Sequence, residues 1–295
     1  MAWRVWWLLA GTGVFLGAGV PLARWAAQGG VEAVAFTLWP TLVAGAVLAG
    51  VGWARQGLCG FSPRWLAFGL LAGLGGHALP MWLSYWLAAH AGAGFAALSF
   101  TLSPLFTWLI LIGLGLERAG WRRALAIASG LAGGVLLIGG QGLAQRLPWA
   151  FGALALAVPV LIAATNVYRS QRMPPGAGAP WLAGLTLQGS ALWLLVGSGL
   201  GDGLPAWPAT TVGLTAALLQ VAALVSGYLC YFGLQRAAEP VVFSFIGYVM
   251  TAMSLALGVA VWQEPLPWTV WPALLLVALG LRGATRTAPR AREAA

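Results

Sequence analysis

One titratable side chain, His77, lies in the middle of a long apolar run, in the segment LGGHALPMWLSYW. A histidine in such a place can donate or accept a hydrogen bond to a substrate, or carry a proton, because it changes charge near neutral pH. A neutral core histidine, bonded to a backbone carbonyl or a serine, is the alternative interpretation, and the sequence leaves both open. Trp82 and Tyr85 follow at spacings of five and eight residues, which predicts a partly aromatic helix face around His77.

Three other apolar runs carry polar side chains near their centres. Ser99 and Ser103 are four residues apart and share one helix face, as do Tyr248 and Thr251, which are three apart. A deep tyrosine or glutamine needs a partner or water, whereas a single serine or threonine commonly bonds back to its own helix. We expect Tyr248 and Thr251 to face His77 across a binding site. The candidate substrate-binding residues are His77, Trp82, Tyr85, Ser99, Ser103, Gln220, Tyr248 and Thr251.

Other residues are candidates for a gate or for a helix end. Glu117 and Glu264 lie just past apolar runs, which favours a role in topology or loop bonding, with a gate as the alternative. Pro104 can open a helix and free carbonyls toward a cavity, or simply kink it. The sequence holds no lysine, no HExxH pattern and no CxxC pattern, so it predicts no phosphate loop, no metal and no cofactor.

The composition places all these residues in a membrane protein. Hydrophobic residues make up 60% of the 295 residues and charged residues only 7%, against about 25% charged in a soluble domain. The net charge of +9 comes from arginines that stand singly or in pairs between apolar runs. Such spacing is typical of topology determinants, not of a nucleic-acid-binding face.

The apolar runs predict an all-α membrane protein with ten transmembrane helices, since a bilayer core needs about 20 apolar residues per helix. The predicted spans are Val5–Ala23, Val34–Trp53, Trp65–Ala88, Gly94–Leu116, Ala124–Gly142, Trp149–Tyr168, Trp181–Leu200, Val212–Leu234, Val241–Trp262 and Trp268–Leu281.

The arginines predict the orientation of these spans. With the N-terminus in the cytoplasm, thirteen of the fifteen basic residues, Arg169 among them, fall on the cytoplasmic side, and only Arg24 and Arg146 fall outside. Cytoplasmic loops retain arginine because its transfer across the bilayer is costly. We therefore expect both termini in the cytoplasm. The lack of lysine is typical of a GC-rich genome and suggests the inner membrane of a bacterium.

A shift of 147 residues aligns the two halves of the chain without a gap. The matching pairs include Leu87 with Leu234, Ala91 with Ala238, Glu117 with Glu264, Trp121 with Trp268, and Gly133 with Gly280. Because each half has five predicted spans, an odd number, the second half should insert in the opposite sense. The charges agree, since the loop after Glu117 carries three arginines and its counterpart after Glu264 carries none.

The sequence thus predicts two inverted five-helix repeats, residues 1–146 and 147–283, followed by a cytoplasmic tail, residues 284–295. Inverted repeats are an architecture of secondary transporters, whose substrates bind between the halves.

The chain resembles the drug/metabolite transporter superfamily, EamA type. The resemblance rests on "LSPLFTWLILIGLGLE" followed by "GLAGGVLLIGG" in the first repeat, and on "FIGYVMTAMSLALGVAVWQEPL" and "LLLVALGLRG" in the second. The chain departs from the family at Thr251, where the counterpart of Pro104 would stand, and at Trp39-Pro40, where the family has an arginine. The resemblance implies two tandem five-helix repeats and the export of a small metabolite.

The leading hypothesis is therefore a secondary transporter, most simply an exporter, of a small neutral or zwitterionic organic metabolite, and not an enzyme. No arginine is predicted to face the interior, and phosphate recognition would need one. The expected partners are the lipid bilayer and a small-molecule substrate, without nucleic acid, in a monomer or a homodimer. A lipid-acting intramembrane enzyme and a lipid flippase are the alternatives, although His77, Ser84 and His90 form no tight constellation.

Overall fold

The computed structural model describes residues 2–57, 62–117, 120–145, 148–200, 203–238, 243, 245–263, 268–269, 271–273, 275–276 and 279–280. All regular structure within these residues is helical. The predicted tail at 284–295, most of the tenth span and Glu264 lie outside the described residues.

Twelve α-helices are described within these ranges. They are α1 (Ala2–Gly17), α2 (Gly19–Gln28), α3 (Ala33–Gln56), α4 (Pro63–Gly73), α5 (Leu79–Ala91), α6 (Ala93–Leu98), α7 (Ser103–Gly113), α8 (Trp121–Gln145), α9 (Trp149–Arg172), α10 (Ala179–Gly199), α11 (Thr211–Ala237) and α12 (Ile246–Trp262). A π-helical turn, Leu74–Ala78, joins α4 to α5, and a 3₁₀ turn, Ser99–Leu102, joins α6 to α7.

Seven helical stretches in the described part of the chain are long and apolar enough to cross a membrane. They are Trp3–Gln28, Ala33–Gln56, Pro63–Ala91, Ala93–Gly113, Trp149–Arg172, Ala179–Gly199 and Thr211–Ala237. Each coincides with a predicted span, and together they fit a multi-pass helical membrane protein. The predicted fifth and ninth spans contain shorter apolar helices, Ala124–Gly133 and Ile246–Trp262.

Two of the spanning stretches change helix type part-way. The third passes through the π-helical turn that carries His77, and the fourth passes through the 3₁₀ turn just before Pro104. A π turn inserts one extra residue into an α-helix and often marks a functional site. Pro104 lies in the first turn of α7, where its missing N–H would have no partner in any case. The break in the fourth span therefore lies before Pro104.

Glycines let α10 approach α3 and α4 closely. A Cβ atom on Gly73 of α4 would lie 2.5 Å from the backbone nitrogen of Ser190 and 2.6 Å from the carbonyl oxygen of Thr186. A Cβ on Gly189 of α10 would meet the carbonyl oxygen of Gly69. Small residues at helix contacts are a main means of packing in membranes, where the hydrophobic effect does not drive helices together.

Gly73→Ala is expected to destabilise the bundle, because the backbone of α10 must move to admit the methyl group. Overpacking of this kind costs about 1–3 kcal/mol. The measurement is the thermal unfolding midpoint of the purified protein in detergent. Gly50→Ala in α3 is the matched control, since a Cβ there meets no atom within 4 Å. Equal midpoints for the two variants would contradict this packing.

Candidate functional site

An interior cavity of about 50 Å³ lies among helices from both halves of the chain. Its walls are mostly apolar, and its polar lining residues are His77, Tyr85, Ser103, Asn166, Gln220, Tyr228 and Tyr231. They come from the π-helical turn and from α5, α7, α9 and α11, while α1 and α12 contribute apolar side chains. The volume suffices for a few water molecules and is well below the several hundred Å³ typical of a ligand pocket. The conformation is therefore closed around its polar groups.

His77 lies in this cavity with both ring nitrogens hydrogen-bonded. Its Nε2 is 2.9 Å from the hydroxyl of Thr41 on α3, and its Nδ1 is 3.0 Å from the hydroxyl of Tyr228 on α11. A hydroxyl can donate or accept, so the pair satisfies a neutral imidazole in either tautomer. These partners, and not a backbone carbonyl or a serine, hold the ring. His77 thereby connects the third predicted span to the second and to the eighth.

Tyr85 and Gln220 form a second polar contact between the halves. The amide nitrogen of Gln220 donates to the hydroxyl of Tyr85 over 2.8 Å. Both side chains are buried, and the amide oxygen of Gln220 has no hydrogen-bond partner among the described residues. Gly19 on α2 lies directly against the pair, since a Cβ there would be 2.8 Å from the Tyr85 hydroxyl. The contact thus closes one end of the cavity.

Arg169 lies behind the lining residues Gly76 and Tyr231, and its position corrects the prediction that no arginine faces the interior. It lies in the last turns of α9 and is only 1% exposed. Its Nη1 donates to the hydroxyl of Tyr231, and its Nη2 donates to the carbonyl oxygen of Ala72 over 2.8 Å. Its guanidinium carbon lies 5.1 Å from the ring centre of Tyr231 and 5.8 Å from that of Phe232, within cation–π range.

Asn166 adds an amide to the Arg169 end of the cavity. It lies three residues before Arg169 on α9, so the two share a helix face. Its amide oxygen accepts a hydrogen bond from the Tyr231 hydroxyl over 3.3 Å. Tyr231 therefore accepts from Arg169 and donates to Asn166, and both of its hydrogen-bonding roles are filled. This cluster could have been predicted from the sequence, because Asn166 and Arg169 are three residues apart and so lie on the same face of a helix.

Four predicted site residues line the cavity, namely His77, Tyr85, Ser103 and Gln220. The hydroxyl of Ser103 is buried without a hydrogen-bond partner among the described residues. The polar cavity-lining residues that the sequence did not select as candidates are Asn166, Tyr228 and Tyr231.

The other candidates lie elsewhere. Trp82 borders a separate pocket with Glu32 and Trp193. Ser99 donates to the carbonyl oxygen of Ala96. Tyr248 and Thr251 are buried but do not line the cavity.

Thr251 connects two helices, and Glu117 lies just past the end of a helix. The Thr251 hydroxyl is 2.7 Å from the carbonyl oxygen of Ala97 and 2.8 Å from that of Gly247, so it attaches α12 to α6. Glu117 follows the end of α7, where its backbone nitrogen donates to the carbonyl oxygen of Leu111 over 3.3 Å. Its partner in the predicted gate, Glu264, lies outside the described residues.

Comparison with solved structures establishes the fold. No family model matches the chain, and no curated protein matches it. Fifteen chains of solved structures are similar to it. One of them, described only as the crystal structure of a protein, superposes with a TM-score of 0.68 at 23% sequence identity and covers 96% of this chain and 98% of its own. At this identity the likeness establishes a shared fold over nearly the whole length.

Proposed function

We propose that the protein is a secondary transporter of the drug/metabolite transporter superfamily, EamA type. It moves a small neutral or zwitterionic organic metabolite across a bacterial inner membrane by alternating access, with export as the direction. The observation that carries the proposal is the small cavity inside the helical bundle, which has seven polar lining residues and is lined by helices from both halves of the chain. A site of this kind, between two halves at the depth of the membrane, is where such transporters bind substrate.

The helix contacts support the proposed inverted repeat of ten spans. Under the 147-residue shift, spans one to five correspond to spans six to ten. The first span packs on the eighth (α1 on α11), and its counterpart contact, the third on the sixth, is present (α5 on α9). The first span also packs on the ninth (α1 on α12), and its counterpart, the fourth on the sixth, is present as well (α7 on α9). A two-fold relation between the halves requires each such contact to have a counterpart, and both counterparts are present.

Equivalent residues also meet each other, as they must on a two-fold axis. The hydroxyl of Ser129 donates to the carbonyl oxygen of Leu276 over 2.9 Å, and these residues are 147 apart. Gly247 lies against the carbonyl of Phe100, and 247 − 100 gives the same 147. The shift that aligns the halves in sequence therefore coincides with contacts in space, which supports the repeat boundaries at 146 and 147.

Alternating access gives the two polar ends of the cavity distinct roles. The Tyr85–Gln220 contact lies toward the side predicted to be outside, and the Arg169–Tyr231 contact lies toward the predicted cytoplasmic side. In the closed conformation both contacts are made, with His77 between them. We infer that each contact opens in turn, while the other stays closed.

His77→Ala is expected to reduce substrate flux by about tenfold or more. The change leaves the hydroxyls of Thr41 and Tyr228 without their buried partner, at a cost of about 1–3 kcal/mol in the closed conformation. The test is a metabolite profile of the medium from cells that overexpress the natural protein, His77→Ala or His90→Ala. His90 is exposed and its ring bonds to the carbonyl of Trp86 in its own helix, so its replacement serves as control.

The natural protein should enrich at least one small metabolite in the medium, and only His77→Ala should abolish the enrichment. An unchanged profile for His77→Ala would remove His77 from the site. A loss of lipid asymmetry in vesicles that contain the purified protein, without metabolite flux, would favour the flippase alternative. Turnover of lipid by the purified protein would favour the enzyme alternative.

A further inference from the structure

Arg169 carries a buried charge without a carboxylate partner in the described part of the chain. Its two described partners, the hydroxyl of Tyr231 and the carbonyl of Ala72, are neutral, and its buried Nε has no hydrogen-bond partner. The two described carboxylates, Glu32 and Glu117, do not line the cavity. Removing a cation from water is expensive unless an anion accompanies it. Among the described residues, the guanidinium thus has no counter-charge of the kind that such burial normally requires.

A donor from Asn166 lies beside this charge at the cavity. The amide oxygen of Asn166 is occupied by the Tyr231 hydroxyl, whereas its amide nitrogen has no partner among the described residues. Asn166 and Tyr231 both line the cavity, and Gly76, which also lines it, lies directly against the guanidinium of Arg169. A side chain at position 76 would occupy the space that the guanidinium now fills. This end of the cavity therefore offers the N–H donor of Asn166 beside the positive charge of Arg169.

The repeat does not place a second charge at the opposite end. The positions equivalent to Arg169 and Asn166 under the 147-residue shift are 169 − 147 = 22 and 166 − 147 = 19, which are Leu22 and Gly19. Gly19 lies against Tyr85 and Gln220, where the free group is an acceptor, the amide oxygen of Gln220. The two ends of the cavity thus have opposite hydrogen-bonding character within one symmetric framework.

We propose that the substrate carries a carboxylate, and that this carboxylate binds the amide nitrogen of Asn166 at the cavity wall, beside the buried positive charge of Arg169. The inference rests on the proposed function and narrows its substrate class from neutral or zwitterionic metabolites to zwitterions and small organic acids. A carboxylate fits better than a phosphate ester, because two guanidinium nitrogens are already engaged and a single positive charge balances one negative charge. The bound anion supplies a counter-charge for Arg169 once the cavity has opened enough to admit the substrate.

The test compares acids with amides of the same shape on the purified full-length protein. The probes are propionate with propionamide, phenylacetate with phenylacetamide, and phenylalanine with phenylalaninamide, at one pH and one ionic strength. Affinity is obtained from the rise in unfolding temperature with ligand concentration. Arg169→Gln removes the charge, and Arg172→Gln, an exposed arginine one turn further along α9, is the matched control.

At least one acid is expected to bind the natural protein about tenfold more tightly than its amide, as a charge-assisted hydrogen bond allows. Arg172→Gln should retain this preference and Arg169→Gln should lose it. Equal binding within all three pairs, or a preference that survives Arg169→Gln, would overturn the proposal. Should Arg169→Gln fail to fold, Asn166→Leu decides the matter, since it should weaken acid binding about threefold or more relative to amide binding, because the hydrogen bond to a carboxylate is the stronger one.

Flux measured in proteoliposomes with the same probes separates this inference from the proposed function. Selective acid binding without flux would contradict the transporter and leave the carboxylate site standing. Flux of acids and amides at equal rates would contradict the carboxylate site and leave the transporter standing.

Discussion

Arg169→Met is expected to leave the protein folded and at least as stable as the natural protein, while transport falls by about tenfold or more. The substitution replaces a buried charge that has no carboxylate partner among the described residues by an apolar side chain of similar length. Removing the uncompensated charge relieves a desolvation cost of several kcal/mol, which outweighs the cost of about 1–3 kcal/mol for leaving the Tyr231 hydroxyl and the Ala72 carbonyl without their donor. The unfolding midpoint of the purified protein and metabolite flux in proteoliposomes measure the two effects independently.

Opposite changes in stability and activity are the signature of a residue kept for function. Arg172→Met, on the exposed side of the same helix end, should change neither quantity. A fall of several degrees in the midpoint of Arg169→Met would instead assign the guanidinium a structural role. It would then act by holding the Ala72 carbonyl at the end of α4 and the rings of Tyr231 and Phe232.

Gly19→Val is expected to open the Tyr85 end of the cavity. A side chain at position 19 collides with the ends of Tyr85 and Gln220, with contacts of 2.8 to 3.0 Å already at its Cβ. Loss of the buried hydrogen bond between them destabilises the closed form by about 0.5–1.5 kcal/mol. The population of the open form therefore rises roughly two- to tenfold. Leu224→Cys, in a protein whose natural cysteines Cys59 and Cys230 are replaced by serine, reports the opening, because Leu224 lines the cavity.

A membrane-impermeant thiol reagent added on the side predicted to be outside should label Leu224→Cys several-fold faster when Gly19→Val is also present. Gly50→Val is the control, since a Cβ atom at position 50 meets no other atom within 4 Å. Labelling at an unchanged rate would mean that the Tyr85–Gln220 contact does not gate the cavity. Faster labelling from the opposite side would reverse the predicted orientation of the chain.

The helical framework was predictable because a membrane imposes it. A spanning helix must satisfy its own backbone and needs about 20 apolar residues, so composition and run length are enough. The spans predicted at Trp65–Ala88 and Trp149–Tyr168 reappear as Pro63–Ala91 and Trp149–Arg172. The π-helical turn inside the former was not predicted, because it depends on how α4 and α5 pack on their neighbours.

The helix face on which a side chain lies was harder to predict than the bounds of the spans. Trp82 and Tyr85 were assigned to one face with His77, but at 100° per residue Trp82 lies about 140° from His77 around the helix and Tyr85 about 80°. Tyr85 accordingly lines the cavity, and Trp82 borders a different pocket. Sequence spacing alone therefore assigned to one helix face two residues that line different pockets. The stripe of Tyr248 and Thr251 was a correct helical face, yet the neighbour it meets is α6, through Ala97.

Arg169 illustrates which properties the sequence determines and which require the tertiary structure. The sequence by itself determined that the chain forms several helices long and apolar enough to cross a membrane, because apolar length depends only on local composition. It assigned Arg169 to the cytoplasmic side, since the residue follows the last apolar position of its run. Only the tertiary structure decided that α9 extends one more turn, so that this arginine points inward to Tyr231 and Ala72. The reason is physical: whether a charge at a helix end reaches water or the interior depends on the helices packed around it.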